Sequence, residues 1–544
     1  MSKEHIVPDP IRAGLARGWD VVDASTLVED RSMQADVVII GSGAGGGISA
    51  EILARSGLSV ILVEEGALVS SRDFNMREAE AYPSLYQESA ARKTADKGID
   101  ILQGRTVGGS TTVNWTSSFR TPPDTLAWWR QHHALPGSTV EAMAPWFDMA
   151  ERRLKVGEWQ AAPNENNDIL RRGADKLGIP TGFIRRNVNG CWNLGYCGMG
   201  CPTNAKQSML VTTIPAALDH GATLLTRARA ERFAIRGEHV EELVCQALDA
   251  GGLRPSGRVL RLRARHYVVA GGAINSPALL LRSDAPDPSG MLGRRTFLHP
   301  TVISAAFFPQ RVDGWAGAPQ TVYSDHFLHE APLDGPMGYK LEAPPLHPLL
   351  LATKMSGFGA HHADIMRQFP HTHAMLALLR DGFHDDSPGG RVSLRADGSP
   401  ELDYPLNDYL WEAARRALLS MAEIQFAAGA REVLTGHEMA PRYASWLEAK
   451  RGIAALPQRL HLTRVVSAHV MGGCAMSGDE RLGVTDADGR YRGLANVSVH
   501  DGSLFPTSVG ANPQLSIYGL TARLASGLAA RLTGRQAAAL AQVG

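Results

Sequence analysis

Several things this sequence lacks narrow its function before any motif does. No uninterrupted apolar run reaches the ~18–20 residues that a membrane-spanning helix needs. The opening Met1-Ser-Lys-Glu-His carries neither an apolar core segment nor a cleavage site, so no signal peptide is expected. Formal net charge is zero, 55 basic against 55 acidic side chains, which leaves no long-range field to attract nucleic acid or an anionic membrane. Five cysteines in 544 residues are too few for a disulfide framework. These absences make a soluble, cytoplasmic protein without a nucleic-acid partner the expectation, with peripheral membrane contact left open. The remainder, 44% hydrophobic and 20% charged, suits a folded chain of two or more domains.

The chain is organised around Asp36-Val-Val-Ile-Ile-Gly-Ser-Gly-Ala-Gly-Gly-Gly47. An apolar run, Val37 to Ile40, feeds Gly41-x-Gly43-x-x-Gly46, and a helix-compatible stretch from Ile48 to Ser56 follows. A second apolar run, Leu58 to Val63, ends on Glu64-Glu65-Gly66. Strand, glycine turn, helix, strand and acid stand at the spacing of a dinucleotide-binding βαβ unit. Gly41 makes the tight turn, Gly43 lets backbone approach a pyrophosphate, and Gly46 lets the helix pack on the sheet. Ser42 and Ala44 lie between them, where the helix N-terminus favours phosphate. Glu64 stands where an acid would accept hydrogen bonds from ribose hydroxyls. A glycine turn in an ordinary α/β protein is the competing reading, and the flanking elements argue against it.

Three further stretches carry glycine or short polar side chains. They are Gly104-Arg-Thr-Val-Gly-Gly-Ser-Thr-Thr-Val-Asn114, Gly271-Gly-Ala-Ile-Asn-Ser-Pro277, and Val499-His-Asp-Gly-Ser-Leu-Phe-Pro506 running on to Gly510-Ala-Asn-Pro-Gln514. In the second, Ser276-Pro277 can cap and start a helix. Each alone is an ordinary turn. Together with the βαβ unit they resemble the glucose–methanol–choline (GMC) flavin oxidoreductases. The text Asn114-Trp-Thr-Ser-Ser-Phe-Arg-Thr-Pro122 looks most like the long-chain alcohol oxidase branch of that family. At Ser283-Asp284 the chain departs from the family's usual Ser-Gly.

The resemblance implies a Rossmann-like α/β FAD-binding domain joined to a substrate domain built on an antiparallel sheet with helices. The expected division is a leader at 1–34 that packs on the core, an FAD-binding domain at 35–300 with a helical and Cys-rich excursion at about 123–210, a substrate domain at 301–461, and a return to the FAD-binding domain at 462–544. It implies that Arg105, Gly108, Gly109, Ser110 and Asn114 follow the FAD pyrophosphate and flavin edge, and that Gly271 approaches the adenosine half. Asp501 and Gly502 would bond ribityl hydroxyls or backbone, with His500 structural beside them. Gly510, Ala511 and Pro513 would bring backbone to the isoalloxazine. Some relatives attach FAD through a histidine near the second glycine motif. No histidine lies between residues 67 and 131, so non-covalent FAD is expected.

Catalysis is expected from His469, in Ser467-Ala-His-Val-Met-Gly-Gly-Cys474, and from Asn512. The resemblance pairs them at the flavin face. Alcohol oxidation removes an O–H proton and a C–H hydride. A neutral imidazole, with a reference pKa of about 6.5, suits the first task. The Asn512 amide can hold the substrate oxygen.

Other clusters compete for attention. Cys191, Cys197 and Cys201 leave three readings: an iron–sulfur cluster, a zinc site lacking an evident fourth ligand, or glycine-rich turns with structural thiols, the last favoured. His361, His362, Asp364, His371 and His373 suggest a metal site less well than a solvated loop. Pro344 to Leu351 reads as core, or else as an access path for an apolar substrate. The expected function is FAD-dependent oxidation of a lipophilic or long-chain primary alcohol to its carbonyl, with oxygen or an external carrier as electron acceptor. A sugar or sterol dehydrogenase, with an iron–sulfur cluster, is the alternative. An NAD(P)H-dependent flavin monooxygenase would need a second nucleotide fingerprint, and none is present. A flavoprotein without catalytic function would bind FAD that no alcohol reduces.

Overall fold

The computed structural model describes residues 7–541. At its centre the strand Arg31–Ile40 runs parallel to Val60–Val63 on one side and to Pro255–Val269 on the other, pairing Val37 with Val60 and Ile40 with Val269. Val37 to Ile40 are all buried. A continuous apolar run is what a parallel strand covered on both faces requires. Thr223–Thr226 and Val497–Val499 extend the parallel part of this sheet, and the hairpin strands Ala228–Arg236 and His239–Leu248 close one edge antiparallel. The helix Ala44–Arg55 leaves the glycine turn and packs against the C-terminal helix Gln514–Thr533.

A second sheet, mostly antiparallel, has the strand Thr301–Phe307 at its centre, paired with Thr372–Leu379 and Glu432–Thr435. Tyr339–Glu342 and Val322–Ser324 continue it on the far side of Thr372–Leu379. The helix Asp408–Ala427 lies on this sheet, where buried Gln425 accepts from Ser304 Oγ at 2.7 Å and donates to Ser304 O at 3.1 Å. The strand Val465–Ser467 joins the sheet beside Thr301–Phe307, and so delivers the residues that follow it. A small sheet has the order Pro400–Asp403, Gly390–Leu394, Arg294–Phe297, Met471–Gly472, its strands interleaved along the chain with those of the second sheet.

Several expectations need correction. The leader does more than pack, since Val21–Asp23 forms an edge strand on Thr223–Thr226. The helix of the βαβ unit begins at Ala44, inside the glycines, rather than at Ile48. The helix after Gly271 begins at Gly272, and Pro277 lies within it. Ser276 caps nothing there: its Oγ accepts from Gly271 N at 2.9 Å and donates to Asp501 at 2.5 Å. The histidine-rich stretch is not a loop. His361, His362 and Asp364 ride the helix Gly359–Arg367, while His373 is buried on Thr372–Leu379 beside Gln425. From Pro344 to Leu351, Leu346 and Leu351 sit in a small core with Phe307 and Ile365, whereas Leu349 is exposed.

Packing gives a paired prediction. A Cβ on Gly45 would lie 1.5 Å from the His500 carbonyl oxygen, whereas one on Gly527 meets nothing within 4 Å. Gly45→Ala should cost about 1–3 kcal/mol or more through overpacking. Gly527→Ala, in an exposed helical position, should gain up to ~1 kcal/mol. Urea denaturation of the two variants checks the contrast.

Candidate active site

A cleft of about 700 Å³ opens at the ends of the parallel strands, bordered by Ile40, Val63 and Val269, the last residues of three of them. This is where α/β sheets bind ligands. Four turns distant in sequence meet there. Gly41, Ser42, Gly43 and Ala44 form one wall, Arg105, Gly109, Ser110 and Asn114 another, and Gly271, Asp501 and Gly502 a third. Gly46, Gly108 and Ala511 do not border the cleft. Gly46 lies behind it against the Gly41 carbonyl. Gly108 contributes through its amide, and Ala511 is buried away from the opening, as is Gly510, so Pro513 alone of that trio faces the cleft.

Ser42 joins three of these segments. Its Oγ donates to Glu64 Oε2 at 2.5 Å and accepts from Gly108 N at 2.9 Å. Glu64 also accepts from Ser42 N at 3.2 Å and, through Oε1, from Gly66 N at 2.8 Å. Burial pushes the Glu64 carboxyl up, and these hydrogen bonds oppose that shift. The carboxylate borders the cleft with acceptor capacity remaining, since each oxygen carries two lone pairs. Arg105 turns to Glu65 at 3.1 Å and to the Gly252 carbonyl. Asp501 is occupied by backbone and serines: Oδ2 accepts from Gly272 N at 2.8 Å and from Ser276, and Oδ1 from Ser503 N at 2.8 Å. His500 bonds Ser49 at 2.9 Å behind this wall.

The cleft fits a dinucleotide's phosphates. A Cβ on Gly109 would come within 2.8 Å of Gly43 Cα, so the two glycine turns close on each other only because Gly109 has no side chain. The helix Ala44–Arg55 starts at Gly43 with no capping side chain and opens on the cleft. Its N–H groups and dipole suit an anion.

On the remaining wall stand His469 and Asn512. His469 reaches the cleft from the strand Val465–Ser467, its backbone N–H held by Ser467 Oγ at 3.2 Å. Burial, and secondarily the Lys340 charge, push its imidazole pKa down to about 3. Asn512 lies at the start of the C-terminal helix. Its Oδ1 accepts from Lys340 Nζ at 3.1 Å and its Nδ2 donates to Glu342 at 3.3 Å. An ammonium can only donate and a carboxylate only accepts, so this pair fixes which way the amide points. The second Nδ2–H is left free of both. Lys340 and Glu342 are themselves paired at 3.2 Å, both buried, with Gln320 Nε2 donating to Glu342 at 2.5 Å. Burial lowers Lys340 to about 8, opposed by Glu342. The Lys340 ammonium lies over the Phe119 ring, 3.1 Å from its centroid.

Lys340, Glu342, Gln320 and His299, whose ring meets that of His469, do not emerge from the motifs. The signal for two of them is Tyr339-Lys-Leu-Glu342, in which charges at i and i+2 share one face of an otherwise apolar strand. Nor does the anchoring role of Lys206 emerge from the motifs. Its buried ammonium donates to the carbonyls of Thr112, Asn114 and Cys197 at 2.8, 2.6 and 2.7 Å, anchoring the second glycine motif from behind. The neighbouring cysteines serve local bonds: Cys191 accepts from Asn193 N and Cys201 from Lys206 N. Among the described residues no group of three or more His, Cys, Asp or Glu is arranged to hold a metal, these cysteines and the histidine-rich stretch included. Nothing in this arrangement supports an iron–sulfur cluster.

The chain is similar to known proteins along most of its length. Two family signatures described as GMC oxidoreductase match residues 82–301 and 386–521. An uncharacterised GMC-type oxidoreductase of Sinorhizobium fredii is 30% identical over 509 residues, covering 92% of this chain and 95% of that protein. A long-chain-alcohol oxidase of Arabidopsis thaliana is 27% identical, covering 90% of this chain and 67% of that protein. Among solved structures, a formate oxidase of Aspergillus oryzae superposes with a TM-score of 0.66 at 15% identity, over 93% of this chain and 100% of that one. No described helix is long and apolar enough to cross a membrane.

Ser42→Ala removes both side-chain bonds and leaves the Gly108 amide without its partner, a loss of about 1–3 kcal/mol. FAD affinity should fall roughly tenfold or more by that energy, read by fluorescence titration. Acid precipitation of the wild-type protein should release all its flavin into the supernatant.

Proposed function

Because the chain belongs to the GMC oxidoreductase family, whose members are FAD-dependent oxidoreductases, we propose that it oxidises a lipophilic primary alcohol to the aldehyde. The observation that carries this reading is that His469 and Asn512, from different parts of the chain, border the same cleft as the glycine turns. Bound in that cleft, FAD supplies the hydride acceptor, and the protein supplies position and charge. Ser42, Glu64, Gly109, Ser110, Asn114 and Asp501 are the residues to hold it.

The chain's own part in the reaction follows from the geometry. The free Nδ2–H of Asn512 donates to the substrate oxygen and orients the carbinol. Lys340 and Glu342 keep that amide from flipping. The imidazole of His469 takes the hydroxyl proton at Nε2, the ring nitrogen with no partner among the described residues, as charge develops on oxygen. The aliphatic part of the substrate is assigned from two supports: the Asn114–Pro122 text and the similarity to the Arabidopsis long-chain-alcohol oxidases. Oxygen is the proposed electron acceptor.

The test is anaerobic mixing of the FAD-loaded protein with alcohols of increasing chain length. Long primary alcohols should bleach the flavin, NADH and NADPH should not, and admitting air should restore the colour. Bleaching by NAD(P)H alone would overturn the reading. His469→Ala should keep its FAD and lose at least ~100-fold in turnover. A base with a lowered pKa stays neutral to lower pH, so the acid limb of kcat/KM should lie below pH 6.5 rather than at it. A pH–rate profile measures that directly.

A further inference from the structure

His299 is buried and does not border the cleft, yet its Nδ1 lies 3.2 Å from His469 Nδ1. Two neutral imidazoles meeting nitrogen to nitrogen share one proton, so one ring donates and the other accepts. The direction is settled at the far side of His299, where the Gly510 amide lies 3.0 Å from Nε2. An amide N–H only donates. His299 Nε2 is therefore unprotonated, its proton is on Nδ1, and Nδ1–H points at His469. With Nδ1 of His469 accepting, the proton of that neutral ring sits on Nε2, the nitrogen without a partner among the described residues. Burial keeps both rings neutral.

We infer that His299 is a positioning residue that holds His469 in the Nε2–H tautomer. Its own placement is rigid. The Asp381 carboxylate accepts the backbone N–H groups of Leu298 and His299 at 2.9 and 3.2 Å, and the phenol of Tyr404 at 2.7 Å. Ser508 Oγ donates to the Asp381 carbonyl at 2.6 Å, so the same residue anchors the chain just before Gly510. The imidazole of His299 is thereby clamped between the loop that carries Asn512 and the ring of His469.

The consequence for catalysis rests on the proposed alcohol oxidation. In the resting tautomer His469 meets the substrate oxygen as a donor. To accept a proton at Nε2 it must carry its own on Nδ1, and His299 must accept there. The shared proton then passes from His299 Nδ1 to His469 Nδ1, the Nε2 proton of His469 leaves to water in the cleft, and water admitted as the Gly510 amide turns away returns one proton to His299 Nε2. The pair's total stays constant. The new Nε2–H of His299 would face the Gly510 N–H, donor against donor. The base form of His469 thus requires the Gly510 amide to turn away, and Gly510, at φ +77°, is a residue whose backbone can make such a change. His299 couples the proton state of His469 to the position of the loop that holds Asn512.

The experiment is ¹⁵N NMR of the full-length, FAD-loaded protein labelled at histidine, with the His469 signals assigned by their loss in His469→Gln. Protonated and unprotonated ring nitrogens have well-separated shifts. The expected spectrum shows His469 Nε2 protonated and Nδ1 not, and in His299→Leu the two shifts move toward an average. A wild-type His469 protonated on Nδ1, or a His469 unmoved in His299→Leu, overturns the inference. If the variant does not fold, the wild-type spectrum decides alone. An Nε2–H signal in a protein that no alcohol bleaches removes the alcohol reading and leaves the His299 assignment standing. An Nδ1–H signal in an alcohol-active protein does the reverse.

Discussion

The cleft closes on one hydroxyl. Ser42 Oγ donates a hydrogen bond to Glu64 and accepts one from the Gly108 amide, so the first glycine turn, the acid ending the second strand and the second glycine motif are fixed relative to one another. All three must be close for backbone to reach a pyrophosphate, and the approach of Gly43 leaves no room for a β-carbon on Gly109. A hydroxyl is suited to this point because it donates and accepts at once. Lys206 supports the second motif from the opposite side, where its ammonium is caged by three carbonyls.

The other half of the site is built on the antiparallel sheet. The strand Val465–Ser467 delivers His469 and the strand Tyr339–Glu342 delivers Lys340 and Glu342. The loop at 510–513 then brings Asn512 between them. Buried ion pairs are a poor source of stability, because desolvation offsets the Coulomb gain. Lys340 and Glu342 are better understood through what they impose on Asn512, one side chain able only to donate and the other only to accept. The pair of imidazoles shows the same logic, with the Gly510 amide as the donor that sets the direction. In both cases the orientation of a group facing the cleft is dictated by partners that do not face it.

How much of this could be read from the chain follows from the same distinction. The glycine turns were legible because a single residue type at fixed offsets is all that they require, and His469 and Asn512 because they stand in stretches resembling a family pattern. Helix starts were misplaced where glycine and proline text belongs inside a helix, at residues 44–47 and at Pro277, since tertiary packing overrode local propensity. The histidine-rich stretch misled in the opposite way, its side chains being dispersed over a helix and a strand. His299 was invisible because its role depends on contacts 170 and 211 residues away along the chain. Composition and spacing carry no trace of such partners, although Lys340-x-Glu342 left a faint one in its strand periodicity.

The most direct measurement is a structure of the FAD-loaded protein crystallised anaerobically with a long-chain primary alcohol or its aldehyde. The carbinol oxygen should lie within hydrogen-bond reach, about 3 Å, of both His469 Nε2 and Asn512 Nδ2. A ligand oxygen held elsewhere, touching neither side chain, would contradict the assignment of this pair to the reacting centre.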